Sequence, residues 1–157
     1  MIETLSGLEQ LPLAVRLKNS VWLYPFVNTA HIVGIALLVG AIVPLDLRLL
    51  GFWRGTDPRH LARVVMPVSL FGLVVAVCAG FLLFITQARD YLASPFFVAK
   101  MAVLAAALAA AAAGFMLTRR AALDGNRPIP GSLRLVAAAS IVLWLAVVTL
   151  GRLIGYF

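Results

Sequence analysis

Residues 21–45 read VWLYPFVNTAHIVGIALLVGAIVPL and contain no Asp, Glu, Lys or Arg. An apolar stretch of this length can cross the hydrocarbon core of a bilayer as an α-helix, which takes about 20 residues. The stretch includes one histidine, His31. Because a titratable ring is costly to place in hydrocarbon, it normally faces the inside of a bundle, where it pairs, carries a proton or binds a metal. The stretch therefore predicts a membrane-spanning helix and a candidate functional residue within it.

Three more apolar stretches of spanning length follow, at residues 64–86, 96–118 and 133–154. The chain has 157 residues, of which 63% are hydrophobic and 12% charged, and its mean hydropathy is +1.04. These values lie outside the range of soluble globular domains. We therefore expect an all-α, antiparallel four-helix bundle that forms a single integral membrane domain over residues 1–157.

A short amphipathic pattern precedes the first span. Ile2, Leu5 and Leu8 recur at helical spacing beside Glu3 and Glu9. This spacing predicts a short interfacial helix that lies on the membrane surface. The alternative is a packed cap on the end of the bundle.

The distribution of basic residues orients the bundle. Eight arginines lie in or next to the first and third links: Arg48, Arg54, Arg59, Arg63, Arg119, Arg120, Arg127 and Arg134. The other side has only Arg16, Lys18, Arg89, Lys100 and Arg152. Since positively charged links stay in the cytoplasm, we expect a multi-pass protein of the bacterial inner membrane with both termini in the periplasm. The net charge of +7 then indicates links that face anionic headgroups of the lipid bilayer, and we expect no nucleic-acid partner.

Polar side chains within the spans gather at the predicted outer side. Tyr24, Asn28 and His31 follow at spacings of four and three on one helix face. Lys100 lies near the outer end of the third span and Arg152 near that of the fourth. His31 should lie roughly 15 Å deep and Lys100 roughly 9 Å deep, from the rise per residue, so that they could share a cavity. The alternatives are hydrogen bonds between helices for the first three, and snorkelling to the interface for the two basic residues.

Small residues mark where helices or a ligand could approach closely. Gly34 lies one turn from His31, and Gly72, Ala76 and Gly80 recur every four residues on the second span. Such positions admit either a neighbouring backbone or a planar ligand. We expect packing to explain most of them, and Gly34 is a candidate for contact with a cofactor.

The chemistry best matched to His31 is haem ligation. A neutral imidazole is a good axial ligand, with a tyrosine or another protein group orienting it by a hydrogen bond. A second axial ligand is harder to find, because His60 lies on the opposite side of the bundle. Lys100 could bind iron as the neutral amine or a haem propionate as a cation, and Met101 is a weaker option. A five-coordinate haem and a haem shared between protomers both stay open, whereas one Cys and two His are too few for a structural zinc site.

Two polar residues near the inner end have simpler interpretations. We expect Asp46 to pair with Arg63 or another link arginine, as a structural latch. We expect His60, beside Pro58, to be solvated or to lie in a first helical turn.

Motifs along nearly the whole chain resemble an uncharacterised family of small bacterial inner-membrane proteins with four helices. They are Trp22-x-x-Pro25, Asn28, His31, Asp46-Leu-Arg-Leu-Leu-Gly51, Pro67, Gly80-Phe-Leu-Leu-Phe84 and Phe97-x-x-Lys100. The chain is more distantly similar to the copper-resistance CopD superfamily and to the membrane-bound, non-flavin protoporphyrinogen oxidases. Those oxidases place a histidine in their first helix and a lysine at the start of their third, both associated with b-type haem and activity. The resemblance implies the same roles for His31 and Lys100.

The sequence thus predicts a small redox protein that holds b-type haem or another porphyrin, with His31 as the metal ligand. Its site would include Lys100, Asn28, Tyr24, Gly34 and Arg152. Electrons would pass between the membrane and a periplasmic cytochrome, a quinone or a membrane-complex partner, and the protein could form a homo-oligomer. The alternatives are a cofactor-free anchor or assembly subunit of a larger complex, and a porphyrin-oxidising enzyme.

Overall fold

The computed structural model describes residues 7–120, without the side chain of Arg120, and residues 129–156. These residues form helices and contain no strand. Four helices are long and apolar enough to cross a membrane, which confirms an all-α, multi-pass four-helix bundle. The helices are α1 (Pro12–Asn19), α2 (Leu23–Leu50), α3 (Pro58–Thr86), α4 (Ala88–Ala93), α5 (Pro95–Arg120) and α6 (Gly131–Leu153), of which α2, α3, α5 and α6 are the four spans.

The link between α2 and α3 is shorter than the apolar stretches suggest, because both helices continue past the apolar residues. Gly51 ends α2 with a φ of 113°, a left-handed conformation that glycine adopts without strain. Asp57 begins α3, since its Oδ1 accepts a hydrogen bond from the Arg59 backbone N–H at 2.8 Å, and Pro58 follows at the first helical position. Local capping chemistry therefore sets the ends of both helices at this link. We call this end of the bundle the inner end and the opposite end the outer end, without reference to a side of the membrane.

The spans pack as two pairs. Helix α2 runs along α3 and α5 runs along α6; α2 and α6 join the pairs, whereas α3 makes few contacts with α5. Glycines allow the closest approach: a β-carbon on Gly34 would lie 2.6 Å from the Ala76 backbone nitrogen, and one on Gly72 would lie 2.6 Å from the Leu38 backbone nitrogen. The α2–α3 interface is therefore filled by backbone, as expected for small residues in membrane helices.

Two apolar clusters fill the inner half and the middle of the bundle. The inner cluster consists of Leu45, Leu49, Ala62, Leu133 and Ala137. The middle cluster consists of Leu38, Ala107, Trp144 and Val147. Both clusters join α2 to α6, so this contact forms the core of the molecule.

The outer end is covered by α1, which the sequence analysis did not predict. Ala14 and Leu17 of α1 are buried, and the helix contacts α3 and α2. The segment before it is attached to α4, because Glu9 Oε1 accepts a hydrogen bond from the Arg89 backbone N–H at 2.9 Å. The predicted surface helix at Ile2 and Leu5 lies outside the described residues.

Asp46 does not form the predicted latch with Arg63 or with another arginine whose side chain the structure describes. Asp46 is buried, and in the described part of the chain it makes no ion pair with Arg63 or any other arginine. Its neighbour is Ser140 of α6. The buried Arg48 performs the linking role instead, since its guanidinium donates hydrogen bonds to the carbonyl oxygens of Thr56 and Arg54. Arg48, a cation, thus closes the link through hydrogen bonds to backbone carbonyl oxygens.

Candidate functional site in the outer half of the bundle

His31 is held by a backbone hydrogen bond from the neighbouring span. Its Nδ1 lies 2.8 Å from the carbonyl oxygen of Ala76 on α3. Because a carbonyl oxygen only accepts, Nδ1 carries the proton of this bond. In the neutral ring Nε2 is then the nitrogen with the free lone pair. The contact fixes both the orientation of the partly buried ring and the atom at which it can act as a base or a ligand.

His31 and Lys100 each lie against a glycine of another helix. A β-carbon on Gly80 of α3 would stand 2.8 Å from His31 Cε1, and one on Gly151 of α6 would stand 3.3 Å from Lys100 Nζ. Lys100 is near enough for its charge to act on His31. All four spans therefore contribute to one region. Helices α2 and α5 provide the two side chains, and α3 and α6 provide the glycines against which they lie.

Aromatic side chains cover this region toward the outer end. Phe84 stacks on Phe97 with ring centroids 5.7 Å apart, and Tyr91 lies 5.3 Å from Phe97. The Tyr91 hydroxyl forms a hydrogen bond with Tyr24. Burial, and after it the neighbouring Tyr24, raises the pKa of Tyr91, so that the Tyr91 hydroxyl stays protonated at physiological pH. The aromatic cluster joins the outer ends of α2, α3 and α5 through α4.

The remaining predicted site residues occupy different environments. Gly34 is buried under the backbone of α3, as described above, so packing accounts for it. Asn28 is exposed. Arg152 is also exposed and is engaged by Tyr156, with a hydrogen bond of 2.7 Å to the hydroxyl and the guanidinium 4.7 Å from the ring centroid. Tyr24 forms a hydrogen bond with Tyr91, and the His31 ring is oriented by its hydrogen bond to Ala76. Contacts of these four residues with a cofactor stay predictions.

The sequence analysis did not assign four residues to the site: Ala76, Gly80, Gly151 and Tyr91. Ala76 and Gly80 were noted as small residues, and their spacing of four was the signal that they share one face. Gly151 and Tyr91 had no such signal, because their roles depend on which helices are neighbours in space. The expectation for His60 is confirmed: it is exposed in the first turn of α3, 2.9 Å from Asp57 Oδ2.

Protein side chains alone offer little to a metal here. In the described part of the chain no group of three or more His, Cys, Asp or Glu residues could hold an ion. An iron bound at His31 would therefore take most of its ligands from a porphyrin. One imidazole with a free Nε2 and a nearby basic side chain at Lys100 are compatible with that group, whereas the space beside Gly80 is filled by the His31 ring itself.

Comparison with known proteins identifies a family but no function. Residues 18–157 match the model of a family of unknown function, DUF6644. No curated protein and no solved structure matches the chain. The match covers all four spans and the whole candidate site.

Proposed function

We propose that this chain, which belongs to the DUF6644 family of unknown function, is a small membrane redox protein that binds b-type haem through His31. The observation that carries the proposal is the hydrogen bond from His31 Nδ1 to the Ala76 carbonyl oxygen. Histidines that bind metals usually donate their other ring N–H to a carboxylate or a backbone carbonyl, which fixes the ring and increases its basicity. The same arrangement at His31 presents Nε2 as the axial ligand.

Lys100 supplies the second part of the proposed site. Its ammonium group lies in the same half of the bundle, against Gly151, where a positive charge would compensate a haem propionate. Haem, when bound, supplies one-electron redox chemistry. This chain would hold it, orient it through His31 and keep its carboxylates inside the membrane through Lys100. The proposal assigns one axial ligand to the chain, since His60 lies at the inner end of α3 and is paired with Asp57.

We further propose that the site lies in the periplasmic half of the bacterial inner membrane. The eight arginines of the first and third links favour a cytoplasmic position for those links. His31, Lys100 and the aromatic cluster lie at the opposite end. A haem at this depth could exchange electrons with a periplasmic cytochrome or with a quinone in the membrane. We also propose that the chain is distantly related to the CopD superfamily and to the non-flavin protoporphyrinogen oxidases, which its sequence motifs resemble.

A cofactor-free anchor or assembly subunit is the second candidate. Helix α5 favours this function, because only 6% of its most apolar 18-residue stretch is buried inside the bundle. The exposed face of this helix is rich in alanine, and small residues allow a partner helix to approach closely. In this function His31 and Tyr24 would only brace the bundle. The third candidate, a porphyrin-oxidising enzyme, is supported by the resemblance alone.

Absorption spectroscopy of the full-length protein separates the haem protein from the cofactor-free anchor. Protein expressed with ample haem and purified in mild detergent should show a Soret band, and His31→Ala should abolish that band while the variant still inserts. His60→Ala is the matched control, because it removes the other histidine from an exposed position and should leave the spectrum unchanged. If carefully prepared wild-type protein shows no Soret band, the haem proposal fails and the anchor takes its place. Turnover of protoporphyrinogen would instead support the enzyme.

A further inference from the structure

A second group of polar side chains lies in the bundle, away from His31. Asp46 of α2 is only 6% exposed and lies beside Ser140 of α6, which is 1% exposed. Asp46 Oδ2 and Ser140 Oγ are buried without a hydrogen-bond partner among the described residues, and so is Nε1 of Trp144, one turn further along α6. This part of the α2–α6 interface therefore holds one acceptor and two donors that are not satisfied. Such atoms are rare in membrane interiors because each costs free energy.

Apolar side chains surround these atoms along the bundle axis. On helix α6, Ala137 of the inner cluster precedes Ser140, and Trp144 and Val147 of the middle cluster follow it. An ionised carboxylate in such surroundings is costly unless a cation pairs with it.

No such cation is found around Asp46 in the described structure. Arg48, on the same helix, directs its guanidinium to the carbonyl oxygens of Thr56 and Arg54. Four other charged or titratable side chains that the structure describes at this end of the packed helices are exposed and do not pair with Asp46: His60, Arg63, Arg119 and Arg134. Arg59 is exposed as well. Neither Arg48 nor any of these four side chains would therefore compensate the negative charge of an ionised Asp46.

We propose that Asp46 and Ser140 form a proton-binding site inside the membrane domain, in which the Asp46 carboxyl carries the bound proton. The proton forms an O–H bond at the carboxyl group, which removes the buried charge and creates a hydrogen-bond donor. A neutral carboxyl can donate to the Ser140 hydroxyl and still accept from a neighbouring donor, whereas a carboxylate can only accept. Asp46 lies about 6 Å from the inner end of α2, from the helical rise, so the proton exchanges with the aqueous phase at that end. This site is independent of haem at His31.

Infrared spectroscopy of the full-length protein in lipid vesicles tests the proposal. At pH 5.5, where ordinary Asp and Glu side chains are ionised, the wild type should show the carbonyl-stretching band of a protonated carboxylic acid, and Asp46→Asn should lose it. Ser140→Ala should shift the band to higher frequency, because the carboxyl loses a hydrogen-bond partner. Asp57→Asn is the matched control: it removes an exposed aspartate at the start of α3 and should leave the band unchanged.

Two outcomes would overturn the proposal: no such band in the wild type at pH 5.5, or a band that persists in Asp46→Asn. The wild-type spectrum alone decides the first, so the test does not depend on whether a variant folds. A thermal-unfolding measurement adds a second criterion. Asn reproduces the donor and acceptor of a neutral acid, so Asp46→Asn should unfold at nearly the wild-type temperature, whereas loss of an ion pair would lower that temperature.

Discussion

His31 lies directly against Gly80, so closely that a β-carbon at Gly80 would stand 2.8 Å from His31 Cε1. Real β-carbons do not approach another atom to this distance, and the ring would have to move. The ring is also tied to Ala76 by its Nδ1 hydrogen bond, one turn before Gly80 on the same helix. The position of the imidazole is thus determined by two neighbouring residues of α3.

Gly80→Ala should therefore displace the His31 ring. If His31 binds haem, the variant should show a weakened or shifted Soret band at an unchanged protein yield. Gly40→Ala is the control on α2, since a β-carbon at Gly40 meets nothing within 4 Å, and its spectrum should equal that of the wild type. An unchanged Soret band in Gly80→Ala would mean that the haem is held elsewhere.

Gly34→Ala should act on stability. Its β-carbon would press on the backbone of Gly72 and Ala76 at distances of 2.6 to 3.0 Å, and backbone cannot move aside as a side chain can. Overpacking of this kind costs about 1–3 kcal/mol. We expect a lower midpoint in reversible unfolding by denaturing detergent, while Gly40→Ala should be neutral or slightly stabilising because alanine favours the helix. Equal midpoints for the two variants would contradict the close packing of α2 on α3.

Lys100→Met should weaken the retention of haem. The proposed role of the ammonium group is to compensate a propionate, so its loss should speed transfer of haem to an excess of a scavenging apoprotein, while the position of the Soret band stays the same. Lys100→Arg keeps the charge and should restore part of the retention. A shifted Soret band in Lys100→Met would instead identify the amine as an axial ligand.

The start of α3 should make stability depend on pH in the acidic range. The Arg59 backbone N–H, and after it the His60 side chain, lower the pKa of Asp57. A carboxyl whose pKa is lower in the folded state stabilises the fold above its unfolded pKa of about 3.9. It loses that contribution as the pH falls through the lowered value.

Asp57→Asn keeps a side-chain oxygen that can cap the helix but removes the titrating group. The difference in unfolding temperature between this variant and the wild type should therefore shrink as the pH falls below about 4. Asp57→Ala, which also removes the cap, should be less stable than Asp57→Asn at every pH. If the difference in unfolding temperature between wild type and Asp57→Asn does not change with pH, the carboxylate contacts of Asp57 do not cause it.

The bundle could be predicted from the sequence because each span is a property of one continuous stretch. Apolar length identified all four helices, and the spacing from Tyr24 to His31 identified a polar face. The neighbours of those residues were not predictable in the same way. His31 meets Ala76 across 45 residues of chain, and Asp46 lies beside Ser140 instead of an arginine, since charge alone does not determine which helices pack together.

The periplasmic position of the site depends on the predicted orientation of the bundle in the membrane. The eight arginines of the first and third links should hold those links in the cytoplasm, so Gly55→Cys should react with a membrane-impermeant maleimide only after the inner side is opened. Asp90→Cys, in α4, should react in intact cells. Both variants are made in a Cys78→Ser background, which removes the one native thiol and serves as the unlabelled control. The reverse labelling pattern would place His31 and Lys100 in the cytoplasmic half, and any electron partner would then act from that side.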